Sequence, residues 1–313
     1  MKQPSVGILG VAAYLPPNVR KNDYWSDATV KTWREKAGRR AEKLIAALEA
    51  ENTDGARRTL DALAALATDP FQGSIERRVI PDDMTASEME VIAAREAIER
   101  AGIQKEEIGL VLSHQICIDY INVPSAAVVA GKLGLPSSTM VMGTDAACNS
   151  FMLQLSLAQA MIQSGAVKYA LLTQSSTLTR FPDSGEMIDA WGGDAASAVI
   201  VGAVSEGRGI LSSAHHQNGN LWGALLCGVP GKRWQDDRCV IYSIDREANL
   251  DMVVRMADCA NAFVGEALAK ANLERSDVAF YAAHQGFKWL LPVSQATAGL
   301  QHARTVEHFH YTG

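Results

Sequence analysis

The sequence lacks the features that would place it in several large classes. No stretch reaches the roughly 18 uncharged apolar residues that a membrane helix needs. The start, MKQPSVGILGVAAYLPP, breaks its short apolar run at Pro16 and Pro17 and carries no signal-peptide cleavage pattern. A cytoplasmic protein without a membrane partner is expected. Lysine and arginine form no run free of acidic neighbours, and 29 basic against 35 acidic residues leave a net charge of −6. Nucleic acid is therefore not an expected partner. The five cysteines (Cys117, Cys148, Cys227, Cys239 and Cys259) are odd in number, widely spaced and free of CxxC pairs. That spacing argues against a disulfide framework and against a zinc ribbon, and leaves one reactive thiol among buried spectators as the natural reading.

What is present is apolar material in abundance. Hydrophobic residues make up 48% of 313 positions, enough for a large core and for two domains. Runs rich in Val, Ile and Leu alternate with segments of helical period, the pattern of an α/β protein with a mostly buried sheet. Strands are expected at Val6 to Leu9, Ile108 to Ser113, Met140 to Gly143, Tyr169 to Thr173, Ala198 to Gly202, Gly209 to Ser213, Val278 to Ala283 and Thr305 to His310. A helix is expected over Thr85 to Ala101, because Thr85 and Glu88 have the spacing of a capping box. The strand–helix order appears once before about residue 205 and begins again after it, so the chain divides into related halves, 1–205 and 206–313. The second half reads as truncated, since the chain stops at Gly313 where the first half continues. Residues 27–70 stand apart from this rhythm. They are charged in both signs, carry Leu and Ala at helical spacing, and predict two helices around the turn Asn52 to Gly55. Such a segment is either a solvated hairpin on the surface or a lid and carrier-protein dock with Arg34, Arg39 and Arg40 facing phosphates.

Two places could carry chemistry. In Met142 to Phe151 (MGTDAACNSF) an apolar strand runs through two small residues into Cys148 and then into a long helix ending at Gly165. A cysteine at the amino end of a helix feels the macrodipole and the free amides of the first turn, which favour thiolate and could also hold the oxyanion of a thioester intermediate. The alternative is a buried cysteine that tolerates a tight turn. In Val278 to Phe287 (VAFYAAHQGF) a buried strand delivers His284 at its carboxyl end. A histidine there can donate to a thioester carbonyl or act as a base, or it can be a capped core residue. A third element, Trp191-Gly-Gly-Asp194, is assigned a structural role.

Taken in order, these segments resemble type III ketoacyl synthases of the thiolase superfamily. Further matches are GVAAYLPPNVRKND, Ser74 to Arg78 (SIERR), TASEMEVIAAREAIERAGI, Pro124 and Ser125, and WGGDAASAVIVG. The resemblance covers essentially the whole chain apart from the charged segment. It implies a five-layered αβαβα thiolase-like fold of two related halves, a homodimer, and acyl transfer from a coenzyme A or carrier-protein thioester. Within it, Cys148 corresponds to the acyl-accepting cysteine and His284 to the histidine of the His-Gln motif. The family's third residue, an asparagine, would fall immediately after Gly313. Condensation with loss of carbon dioxide, plain transfer to an alcohol or amine, and a noncatalytic partner subunit all remain open at this point. Three departures from the family pattern indicate a specialised relative: Asn149 and Ser150 after the nucleophile, Gly286 and Phe287 after His-Gln, and the inserted hairpin. Trp33 and Arg34 resemble an adenine-stacking tryptophan with its arginine, and Trp33 could equally lie on the apolar face of the inserted helix. No metal or redox cofactor is expected, coenzyme A or phosphopantetheine being the substrate carrier. His308 and His310 would share one face of a strand without further ligands, His215 and His216 fall in a turn, and His114 ends a strand; none is assigned a role.

Overall fold

Strands buried on both faces need apolar residues at every position, and the central strands of this chain supply them. The computed structural model describes residues 3–181, 185–233 and 235–313. In chain order its main elements are β1 (Ser5–Tyr14), β2 (Asn18–Lys21), α1 (Asp27–Glu51), α2 (Asp54–Ala64), β3 (Glu76–Val79), α3 (Ala86–Ala101), β4 (Ile108–Gln115), α4 (Ser125–Leu133), β5 (Met140–Gly143), α5 (Ser150–Gln163), β6 (Tyr169–Thr177), β7 (Asp194–Val204), β8 (Leu226–Gly228), β9 (Val240–Tyr242), α6 (Arg246–Ala271), α7 (Leu290–Thr297) and α8 (Phe309–Thr312). The chain forms two compact units. The first contains Met1–Val19, Arg78–Arg180 and Gly193–Leu211; the second contains Arg20–Arg77, Phe181–Gly192 and Ser212–Gly313.

The first unit is a mixed sheet of order β1-β7-β6-β4-β5, with β4 parallel to both β5 and β6, and β7 antiparallel to β6 and β1. Alternation along the strands sorts its core into two layers. Val111, Leu171, Ala198 and Ile200 pack against α3 and α4 through Ala94, Ala97, Ala126 and Val129. Leu110, Leu112, Leu172, Val199 and Val201 pack on the other face against Ala158 and Ile162 of α5. Helix α3 approaches β1 closely at Gly10, where a Cβ would stand 2.3 Å from the Ala97 carbonyl oxygen. The capping box at its start is present: Glu88 N–H donates to Thr85 Oγ1 at 3.3 Å and Thr85 N–H donates to Glu88 Oε2 at 2.8 Å.

The second unit departs from expectation in two ways. First, residues 27–70 do form two helices, each capped by a hydroxyl: Ser26 accepts from Thr29 N–H, and Thr53 from Ala56 N–H. These helices are no solvated hairpin appended to the first half. Leu48, Ala56 and Leu63 share a buried cluster with Val253, Val254 and Ala257 of α6 and with Trp289 and Leu290. The hairpin therefore belongs to the same unit as residues 212–313, and the expected division into 1–205 and 206–313 is corrected accordingly. Leu and Ala at helical spacing fit an amphipathic surface helix and a helix buried along one face equally well, which is why the sequence left the choice open.

Asp258 ties the hairpin down. Its carboxylate accepts from Thr53 Oγ1 and, at 3.0 Å, from Gly55 N–H at the start of α2. Replacement by alanine should destabilise the protein by about 1–3 kcal/mol, read as a lower urea midpoint at unchanged slope. An unchanged midpoint would contradict this role.

Second, the strands expected at Gly209 to Ser213, Val278 to Ala283 and Thr305 to His310 are absent among the described residues. Pairing there reduces to one parallel bridge, Phe280 with Arg304. It is extended by Tyr281 N–H to Arg304 O at 2.8 Å and Arg304 N–H to Ala279 O at 3.0 Å. A strand needs neighbours to satisfy its backbone, and the 278–283 segment has one. Residues 309–312 form α8 instead. The five-layer expectation therefore has one complete sheet here, in the first unit.

Candidate active site

Strand β5 ends at Gly143, and within four residues the chain turns into the helix that follows the nucleophile candidate. Ala147 sits at φ +46°, in the left-handed region that a residue with a Cβ enters at a cost of roughly 1–2 kcal/mol. Hydrogen bonds hold it there. Ser150 Oγ accepts from Ala146 N–H at 2.9 Å and donates to Ala147 O at 2.8 Å, while Asp145 Oδ1 accepts from Ala147 N–H at 3.0 Å. Ser150 thus staples the turn. Cys148 follows in a single 3₁₀ turn, Ala147–Asn149, directly before α5.

The expected placement at a helix amino end is found, but the expected drift toward thiolate is not. Burial pushes the Cys148 thiol up from its ordinary value, and its own amide hydrogen pulls it only part of the way back. The residue is nonetheless exposed, so a thioester can reach it.

Beneath this turn the sheet becomes polar. His114 and Gln174 continue the face that Leu112 and Leu172 begin, and they end it in hydrogen bonds. His114 Nδ1 donates to Thr144 O at 3.1 Å and lies 3.7 Å from Asp145 Oδ1. Gln154 of α5, fully buried, donates from Nε2 to Thr144 Oγ1 at 2.9 Å and to Thr173 O at 3.2 Å, and it accepts from Gln174. Ser197 Oγ completes the chain on Gln174 Oε1 at 2.8 Å. No role is assigned to His114 or Gln154 from sequence alone; the signal for His114 and Gln174 is a polar residue at an even position of a strand whose even positions are otherwise apolar, and Gln154 on α5 carries none.

On the opposite face, Glu90 accepts from the hydroxyls of Ser113, Thr173 and Ser175 at 2.6–2.7 Å, with no cation beside it among those contacts. Burial raises its pKa above the ordinary carboxylate range, against the pull of those hydroxyls. An acid raised in the folded state contributes stability that is fully present below its unfolded pKa and is lost as pH rises through the folded one. Glu90→Gln should therefore gain stability relative to the native protein as pH rises from 5 to 8. Urea unfolding at the two pH values checks this, and a difference independent of pH would contradict it.

Asp194 has the structural role expected of it. Its buried carboxylate accepts from Ile80 N–H at 2.8 Å and from Thr179 N–H at 3.0 Å.

In the second unit, His284 ends the extended segment that pairs with Arg304. Gln285 locks the local chain, donating from Nε2 to Val306 O at 2.7 Å and accepting from His308 N–H at 2.9 Å. Gly286 is required by close approach: a Cβ would stand 2.7 Å from His284 Nε2. Burial, then the nearby His308, lowers the His284 pKa, so the ring is neutral at physiological pH. His308 is itself lowered, by burial and then by His310, and its Nδ1 is 3.0 Å from Thr312 Oγ1. His308 is thus a neighbour of the candidate histidine, which the strand expected over 305–310 concealed.

Trp33 does not meet the expectation of an adenine platform. Its ring is fully buried, packed at 5.7 Å on Trp25 and 6.4 Å on Phe71, and its indole N–H donates to Gly185 O at 2.8 Å. No ring face is left for a base. Arg34, its neighbour on α1, is exposed. The alternative weighed for Trp33, an apolar helix face, is the one found.

Comparison with known proteins fixes the class. Over all of this chain and 84% of the other, the priming β-ketosynthase of the R1128 polyketide pathway superposes with a TM-score of 0.78 at 23% identity, so the fold is that of the thiolase-like condensing enzymes. The family profile described as 3-oxoacyl-[acyl-carrier-protein] synthase III matches residues 142–219, the stretch that begins at the nucleophile turn. Beta-ketoacyl-[acyl-carrier-protein] synthase III 1 of Bacillus cereus is 31% identical over 283 residues, covering 90% of this chain and 76% of that one. The synthase III of an Enterobacter species is 34% identical over 216 residues, 68% of this chain and 66% of the relative, so the match spans just under two thirds of that relative's length. The chain belongs to the beta-ketoacyl-[acyl-carrier-protein] synthase III family.

Proposed function

We propose that the protein transfers acyl groups from coenzyme A or acyl-carrier-protein thioesters through a thioester on Cys148, and that it completes a decarboxylative condensation of the synthase III kind. The observation that carries this is Cys148 itself, held on a left-handed turn at the amino end of α5. In the reaction the thiol loses its proton, the sulfur attacks the donor carbonyl, and the amide of Cys148 donates to the oxyanion. The carrier thiol then departs with a proton. In the second half-reaction neutral His284 donates to the carbonyl of the malonyl thioester, whose enolate forms as carbon dioxide leaves; the enolate attacks the acyl carbon, the bond to Cys148 sulfur breaks, and Cys148 departs as thiolate and is reprotonated. No metal or redox cofactor takes part. Membership of the family and the match of its profile to the Cys148 segment support the reading. The test is release of labelled carbon dioxide from a malonyl thioester in step with Cys148 turnover. Transfer to an alcohol or amine without release would replace condensation by plain acyl transfer.

A homodimer is part of the proposal. Strand β5 is an edge of the sheet with all four residues exposed, among them Met140, Val141 and Met142, and Ile118, Tyr120 and Ile121 of the same unit are exposed too. An open edge with apolar neighbours fits pairing with a second copy. Light scattering should give twice the chain mass, and Val141→Lys should reduce it toward one. A monomeric native protein would remove this part of the reading. Among the described residues no helix is long and apolar enough to cross a membrane. With the free cysteines, which a reducing compartment preserves, this supports a cytoplasmic location. Fractionation would show it, and recovery of the protein outside the cytoplasm would contradict it.

A further inference from the structure

The second unit holds a cavity that the proposed reaction does not use. It measures about 50 Å³ and lies between the hairpin and the segment that follows His284. Three aromatic side chains, Trp191, Phe287 and Trp289, form one side of it. They brace each other, Trp191 edge-on to Phe287 at 5.7 Å and Phe287 stacked on Trp289 at 5.7 Å, and Trp191 is anchored by its indole N–H on Pro70 O at 2.7 Å. The facing wall comes from α1, where Ala41 leaves the space open and Arg40 supplies the charge. The Arg40 guanidinium lies over the Trp191 ring at 5.4 Å. Among the described residues it makes no ion pair or hydrogen bond. Arg40 is exposed as a residue, and the part of its side chain that lies against the apolar lining is desolvated, which lowers its pKa.

We propose that this cavity binds a small carboxylate with a short aliphatic body, the carboxylate on Arg40 and the body against the aromatic wall. Charge and size select this class. A planar guanidinium with free donors matches a carboxylate in paired geometry, and the one other polar lining residue, Gln72, already donates from Nε2 to Asp69 O at 2.9 Å. The volume accommodates roughly four water-sized groups, which is a body of about four carbons. The site is independent of Cys148 and rests on nothing in the proposed reaction.

Calorimetric titration of the full chain with isovalerate tests it, with tryptophan fluorescence followed in parallel and isovaleramide as the neutral counterpart. Saturable binding is expected, weakened at least about tenfold by Arg40→Gln and by the amide, and blocked by Ala41→Leu, which fills the space. Arg40→Gln alters an exposed charge and should fold normally, so it remains informative if Ala41→Leu does not fold. Cys148→Ser should bind isovalerate like the native protein, which separates this test from that of the reaction. The proposal is overturned if no heat is seen at tens of millimolar. It is equally overturned if isovaleramide binds as well as isovalerate, or if Arg40→Gln binds like the native protein.

Discussion

Cys148→Ala is expected to lower turnover with an acyl thioester donor by about 10⁴-fold or more, leaving the urea midpoint close to native. The expectation follows from chemistry that no other described cysteine shares. Cys148 alone stands between a left-handed residue and a helix amino terminus. The raised thiol adds a pH signature. Because burial pushes the pKa up, the reactive anion is scarce at neutral pH, and the acylation rate should climb with pH through the alkaline range. Initial rates with saturating donor measure both effects. Retention of full turnover by Cys148→Ala would end the proposed mechanism, and a rate that does not rise with pH would place the proton elsewhere.

His284→Ala is expected to slow condensation by about 10²- to 10³-fold while Cys148 still accepts an acyl group. The sign of the pH effect follows from the lowered pKa. A ring that stays neutral below the ordinary histidine value keeps the condensation rate flat down to about pH 6.5, with the loss on the acid side lying lower still. His308 helps to hold it there, so His308→Gln should move the acid limb to higher pH, since one of the two causes of the lowering is gone. Single-turnover acylation and steady-state condensation, measured separately from pH 5 to 8, distinguish these outcomes. Equal loss of both half-reactions in His284→Ala would mean that the histidine serves the fold and not the second step.

Where the local pattern determines the outcome, the sequence was sufficient. The capping box at Thr85 and Glu88, strand β5 over Met140 to Gly143, the turn at Asn52 and the position of Cys148 all depend on neighbours within a few residues, and each is found as expected. Where the outcome depends on distant partners, it was not. Residues 278–283 have the composition of a buried strand but only Arg304 to pair with, and residues 309–312 close into a helical turn although a strand is expected over Thr305 to His310. The hairpin shows the same limit: Leu48 and Leu63 mark an apolar face, and only the fold reveals that α6 covers it. Trp33 was assigned by resemblance to a motif interrupted by that very insertion, and packing against Trp25 and Phe71 removed it from any site. His114, noted at a strand end, and Gln154 take no role from sequence because single polar residues in buried elements carry no motif, and their meaning comes from meeting at Thr144.

The most direct test of the central claim is peptide mapping by mass spectrometry after brief exposure of the native protein to an acyl-coenzyme A donor. The account predicts one acyl group, on the peptide containing Cys148, which disappears when a malonyl thioester is added. An adduct on Cys117, Cys227, Cys239 or Cys259 in its place, or no adduct at all under conditions of turnover, would contradict it.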